Sequence, residues 1–179
     1  MTRFIALLRG INVGGRKSVP MAELGKLLES QGFSNVVTYI QSGNAVFSSS
    51  MKEAAIQKKI EEALLARFGF EVIVFVLSSS KLSSFLKANP FAKRSLHEGE
   101  RIYFTLLSSK PEPANAAKLS ALNGQGDELV AVGDVVYIFC RGGYGRSAFS
   151  NPAVEKILKL SATTRNSETM KKLDELAAG

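Results

Sequence analysis

The chain contains no tryptophan, one histidine and one cysteine among its 179 residues. Each scarcity removes a kind of chemistry. A lone Cys140 cannot close an internal disulfide, which fits a reducing compartment. Cys140 and His97 have no further Cys or His to join them in a metal site. No uninterrupted apolar run exceeds six residues, Val72–Leu77 being one, whereas a membrane-spanning helix needs about 20. The opening apolar run, Phe4–Leu8, is too short for a secretory leader. These absences predict a cytoplasmic protein with no membrane partner, no metal and no cofactor. No Walker loop is present, and neither is the G-x-G-x-x-G dinucleotide fingerprint.

What remains is a globular composition with 45% apolar residues, long enough for one domain or two small ones. The formal net charge is +7, with a pI near 9.6. A field of that sign favours nucleotides, nucleic acid or other phosphorylated partners, and it also serves solubility. The excess is shared between the halves, so its placement says more than its size. Residues 1–22 carry Arg3, Arg9, Arg16 and Lys17 with no acid, and residues 135–154 carry Arg141 and Arg146 with no acid. The helical stretches mix signs, as in Lys52–Glu62, and mixed helices are usually solvated faces.

Periodicity organises the chain. Phe4–Leu8 reads as a strand buried on both faces, and Pro20 opens a helix with an apolar stripe at Met21, Leu24, Leu27 and Leu28. Val36–Ile40 and Ala45–Phe47 flank the turn Gln41-Ser42-Gly43-Asn44. A helix over about 52–68 and a strand Val72–Leu77 follow. The order β-α-β-β-α-β is the split βαβ, or ferredoxin-like, pattern. Beyond a short helix through Lys87, the pattern partly recurs. Arg101–Leu107 reads as a strand and Pro113–Leu122 as a helix stopped by Asn123-Gly124. Glu128–Val132 and Val135–Cys140 form a hairpin, Asn151-Pro152 opens a helix, and a last helix lies near 167–178. The fourth strand of this half is reduced to 161–164 or missing. The expected fold is therefore α+β: a ferredoxin-like unit over 1–77 and a related, degenerate α+β unit over 78–179, packed as one body.

Topology turns the pattern into a candidate site. In a split βαβ unit, strands one and two run in the same direction. The loop leaving the first strand and the hairpin leaving the second then lie at one end of the sheet. That end would gather Arg9–Lys17 and Gln41–Asn44. The first segment holds three cations, three glycines and one asparagine in nine residues.

These same residues carry a family resemblance. Ala6–Gly15, Met21–Leu24 and Thr38–Asn44, with Thr163–Asn166, Thr169 and Leu173 near the C-terminus, closely resemble the bacterial family catalogued as domain of unknown function 1697. The resemblance implies a two-part α+β fold with ferredoxin-like character and no established activity. Many relatives carry Trp after the Arg-Asn pair, where this chain has Ser167.

Each candidate residue has a functional and a plain reading. Gly14 and Gly15 with Asn12 permit a loop whose N–H groups curl around an oxyanion, or a turn that needs glycine only for its geometry. Arg9 is a bidentate anion contact or a structural salt bridge. Lys17 and Arg16 are phosphate contacts or solvated charges. Gln41 and Asn44 orient a sugar, a base or a phosphate, or belong to ordinary turn chemistry with Ser42. Arg165 and Asn166 stand before a helix, where they bind an anion or supply a cap and a salt bridge. In Arg141–Arg146, Tyr144 would stack on a base, or the segment is a plain connection. Support for catalysis is thin: His97 stands in a polar stretch, Cys140 has no matched base, and Glu23 suits a helix N-terminus. Aromatics are too few on the expected central strands for the sheet face to serve as an RNA platform. The leading reading is a binding protein for a phosphate-bearing ligand, a nucleotide or nucleic acid. The site would use Arg9, Asn12, Gly14, Gly15, Lys17, Gln41 and Asn44, with Arg165 and Asn166 contributing. The alternatives are a small enzyme acting on a phosphorylated substrate, and an interaction module without a small ligand.

Overall fold

In a computed structural model, the structure describes residues 1–123 and 126–179. The first half runs β1 (Thr2–Leu8), α1 (Met21–Ser30), β2 (Ser34–Tyr39), β3 (Asn44–Ser49), α2 (Glu53–Phe68), β4 (Val74–Ser78) and α3 (Ser79–Lys87). The second runs β5 (Arg101–Leu107), α4 (Pro113–Ser120), β6 (Glu128–Val132), β7 (Val135–Cys140), a 3-10 turn at Tyr144–Arg146, α5 (Asn151–Leu158), β8 (Ala162–Asn166) and α6 (Ser167–Ala178). By contacts, the chain divides into Met1–Ser83 with Lys172–Gly179, and Ser84–Lys171. The division falls inside α3 and inside α6.

Each half builds one four-stranded antiparallel sheet, ordered β2-β3-β1-β4 and β6-β7-β5-β8. The second order is the first shifted by four strands, so the expected ferredoxin-like pattern occurs twice. The repeat holds to the hydrogen bond. Leu8 N–H donates to Gly43 O at 2.8 Å, and Leu107 N–H donates to Asp134 O at 2.9 Å. Arg9 N–H donates to Ile73 O, and Ser108 N–H to Ser161 O, both at 2.9 Å. The reduced fourth strand expected at 161–164 is a full five-residue strand, β8, paired with β5 from Tyr103–Asn166 to Leu107–Ala162. Its polar sequence hid it. Thr164 bonds Thr105 across the sheet at 2.8 Å, which removes the cost of burying both hydroxyls. The expected Gly124 helix stop lies outside the described residues.

The apolar pattern explains the layers. Phe4, Ala6 and Leu8 of β1 face α1 and α2, which return Leu24, Leu28, Ile56, Ile60 and Leu64 to the same core. Phe33 and Phe47 meet there at 4.6 Å between ring centroids. Ile5 and Leu7, on the opposite face of β1, are also fully buried, as a continuous apolar strand requires. Burying each such aliphatic side chain contributes about 1.5–3 kcal/mol. The second core uses Leu119, Leu129, Val136, Ile138, Val154 and Leu158. Gly69 ends α2 at φ +77°, where its N–H donates to Leu65 O.

Candidate cationic rim of the first sheet

Two buried residues, Ile11 and Val19, pin the ends of the loop between β1 and α1, and residues 13–18 between them stand in solvent. The exposed part is a miniature hairpin. Val13 and Arg16 form an antiparallel bridge, and Arg16 N–H donates to Val13 O at 3.1 Å. The two central residues are Gly14 at φ +59° and Gly15 at φ +72°, as in a type I′ turn, which non-glycine residues other than Asn and Asp rarely adopt. The glycines therefore serve turn geometry, and the hairpin lifts the cations of Arg16 and Lys17 into water.

Asn12 holds the base of this hairpin. Its Oδ1 accepts from Val19 N–H at 2.8 Å, and its Nδ2 donates to Val19 O at 2.9 Å and to Gln41 O at 2.8 Å. The last bond crosses to the β2–β3 turn, so the two segments expected to share an end of the sheet do share it. Gly43 brings them into contact. A Cβ there would stand 2.5 Å from Ile11 Cδ1 and 2.9 Å from Leu8 Cβ. Asn44 is fully buried and braces the same turn, its Nδ2 donating to Tyr39 O at 2.9 Å and Ser42 Oγ at 3.0 Å. The Gln41 side chain is exposed.

A third loop belongs to this rim. β4 is antiparallel to β1, so the chain entering it arrives where β1 ends. Lys17 Nζ donates to Glu71 O at 2.7 Å and lies 5.9 Å from the Phe70 ring centroid. Neither Lys17 nor Arg16 forms an ion pair among the described residues. Arg9 is half-buried at the end of β1. Arg3 stands at the other end of that strand and binds the carbonyls of Asn35 and Leu176 at 2.9 and 2.8 Å.

The backbone is strained here. Among the described residues, five other than glycine have positive φ, and Asn12 (56°), Lys17 (49°) and Ile40 (47°) are three of them. A β-branched residue in this region is a true outlier, costing about 1–2 kcal/mol. Ile40 and the hairpin-tip Val13 are also exposed, at 47% and 67%. Nothing in the sequence marked Ile40, because its conformation is imposed by the turn it enters. The loop at residues 69–73 was legible from topology, since the start of the fourth strand shares the end of the sheet with the exit of the first.

The remaining candidates lie in the second unit. Arg165 is 9% exposed, and burial pushes its pKa down to about 10. Its Nη1 donates to Thr163 Oγ1 at 3.0 Å and Thr164 O at 2.9 Å. Asn166 caps α6, with Oδ1 accepting from Thr169 N–H at 2.7 Å. Tyr144 packs 4.7 Å from Tyr103, and its hydroxyl donates to Thr164 Oγ1 at 2.9 Å. Its ring is thus held within the fold. Arg141 pairs with Glu128 at 2.8 Å. The side chain of Arg146 lies outside the described residues. Burial pushes the Cys140 thiol up to about 11, which leaves it unreactive at neutral pH. Glu23 makes an exposed ion pair with Arg67. Among the described residues, no His, Cys, Asp or Glu cluster could hold a metal, and no helix is long and apolar enough to cross a membrane.

The chain matches no curated protein. Its structure is similar to that titled the structure of conserved bacterial protein SP0830 from Streptococcus pneumoniae, with a TM-score of 0.74 and 26% identity over 98% of each chain. The two-unit repeated α+β fold is common to both. The model of the family described as Protein of unknown function (DUF1697) matches residues 1–137, and the chain belongs to that family.

Proposed function

We propose that the rim formed by residues 9–17, 40–44 and 69–73 binds a phosphate-bearing ligand, a nucleotide or a nucleic acid. One observation carries the reading: left-handed backbone is concentrated at Asn12, Lys17 and Ile40, on the edge that also presents two cations with no ion pair among the described residues. Backbone strain persists where the surrounding structure over-determines it, and such positions gather at ligand-binding segments. The ligand meets charge from Arg16 and Lys17, with Arg9 behind them at the strand end. Asn12, Asn44, Gly14, Gly15 and Gly43 act by shaping the rim, since their polar groups or φ angles serve the loops themselves. Gln41 offers an exposed amide beside the hairpin.

The test is fluorescence anisotropy with a short labelled single-stranded DNA, and thermal shift with nucleoside triphosphates, both at low salt. Saturable binding is expected. Arg16→Ala and Lys17→Ala should each weaken it about tenfold, and for DNA each should flatten the salt slope by about one unit. A wild-type protein that no nucleotide stabilises at millimolar concentration, and that leaves the DNA unbound, ends the proposal.

A further inference from the structure

Beside the cationic hairpin lies a groove of the opposite charge. It has a volume of about 230 Å³ and runs between α2 and the loop entering β4, within the first unit. Glu61, Glu62 and Glu71 supply its acids, Leu65, Val72 and Ile73 its apolar surface, and no cation lines it. Leu65 and Ile73 are 45% and 38% exposed, although their neighbours Leu64 and Val74 are buried.

The carboxylates divide into two kinds. Glu61 Oε1 accepts from Val74 N–H at 2.9 Å, and Glu53 Oε1 accepts from Ser78 N–H at 2.9 Å. These bonds cover donors that β4 turns away from β1, so this edge is a poor template for a further strand, and a partner would meet it through side chains. Glu62 and Glu71 are committed less. Glu62 makes a solvated pair with Lys58 at 3.8 Å, worth little. Glu71 gives its backbone carbonyl to Lys17, while its carboxylate forms no ion pair among the described residues.

The neighbouring hairpin is the complement of this groove. Val13 at its tip is two-thirds exposed, and Arg16 and Lys17 carry the opposite charge. The 2.7 Å bond from Lys17 Nζ to Glu71 O sets hairpin and groove side by side. A projecting cationic tip next to an acidic groove is self-complementary under a two-fold rotation, because each copy offers what the other receives.

We propose that this face joins two copies of the chain as an isologous dimer. The hairpin of each copy lies in the groove of the other, with Val13 against Leu65 and Ile73, and with Arg16 and Lys17 against Glu62 and Glu71. The net charge of +7 on each copy repels at long range, and salt screens that repulsion before it screens pairs in contact. The dimer covers the cations of the rim, so a second copy and a phosphate-bearing ligand exclude each other there. Association itself requires no ligand, so it fails or stands separately from the ligand reading.

Sedimentation velocity of the full chain without ligand, at about 50 mM salt, tests the dimer. The 19.3 kDa chain should shift toward twice that mass as its concentration rises from about 10 µM to about 1 mM, the range of a small, transient interface. Arg16→Glu combined with Lys17→Glu should weaken association at least about tenfold, and a second variant, Glu62→Lys combined with Glu71→Lys, should do the same. Mixed in equal amounts, the two variants should associate within about threefold of the unaltered chain, because each reversed charge again meets its opposite. Glu29→Lys, at the far end of α1, should change association less than about twofold. Val13→Ser should weaken it several-fold. The proposal is overturned if the unaltered chain stays a single 19.3 kDa species throughout, if either reversed variant associates like the unaltered chain, or if their mixture does not associate. Should a reversed variant misfold, association of the unaltered chain that persists undiminished in about 1 M salt overturns the charge pairing. Unchanged association of Val13→Ser overturns the seating of the tip in the groove.

Discussion

The same strand is followed by 12 residues in one half of the chain, 9–20 after β1, and by five in the other, 108–112 after β5. At the connection that leaves the third strand of each half the proportion reverses. Three residues, 50–52, follow β3, whereas ten, 141–150, follow β7. The central strand pairs keep one register, β1–β3 matching β5–β7 and β1–β4 matching β5–β8, whereas β2 carries an irregularity that β6 lacks. A repeated sheet thus fixes a frame, and each half elaborates a different loop on it. Loops tolerate insertion because their backbone is solvated, whereas a one-residue slip in a strand turns its whole apolar set to the wrong face. The interiors differ too. Where the first sheet pairs Ala6 with Val76, the second pairs Thr105 with Thr164, joined by their hydroxyls and extended to Tyr144 and Asn151.

The sharpest way to break this equivalence is at Gly43 and its counterpart Asp134, which accept matching bonds from Leu8 and Leu107. Gly43→Asp should destabilise the protein by about 2–4 kcal/mol, combining a left-handed aspartate with a clash against Ile11. Asp134→Gly should cost less than about 1 kcal/mol. Urea unfolding measures both, and equal costs would refute the correspondence of the two turns.

Asn12→Ala comes next. It removes three hydrogen bonds that the second half, with its shorter loop, does not need. A loss of about 2 kcal/mol is expected, together with loss of rim binding. Unchanged stability would show that the loop holds its shape without the clamp.

A pH series separates the halves. The counterpart of Cys140 is Ser49, which does not titrate and whose Oγ accepts from Met51 N–H. Burial raises the Cys140 thiol to about 11, so between pH 9 and 11 the folded chain holds a proton that the unfolded chain releases. Stability is fully present below about pH 9 and should fall as pH rises through that window, by up to about 2 kcal/mol. Cys140→Ala should flatten the fall, and an unchanged slope in that variant would assign it to other groups.

The smallest effect has the opposite sign. Ile40→Gly relieves the left-handed strain on the rim and should stabilise the fold by about 0.5–1 kcal/mol. Destabilisation by denaturant titration would mean that the Ile40 side chain contributes packing worth more than the strain it stores.

Legibility followed the same division between sheet and loop. Glu128–Val132, Val135–Cys140 and Arg101–Leu107 were readable to the residue, because β-branched and aromatic runs between turn residues leave little choice. β8 was under-read because Thr163, Thr164 and Arg165 are polar and yet lie in a sheet, which becomes reasonable only when their partners are known. At the site, the glycines and cations were visible as a pattern, and so was the meeting of the two loops, from topology. The use of Asn12 as a clamp and of Asn44 as a brace was not, since an amide looks the same in a sequence whether it faces a ligand or a backbone carbonyl.

By itself, the sequence determined the period of most elements, the doubled α+β pattern, the lack of an internal disulfide, and an acid-free cationic loop. These follow from local sterics, solvation and counting, which act between near neighbours. Tertiary structure alone decided which polar groups are already satisfied. It bound Asn12 to Val19 and Gln41, folded Gly14 and Gly15 into a tight turn, and buried Arg165. A hydrogen bond is directional and short-ranged, so its partner is fixed only when distant segments arrive within about 3 Å of one another.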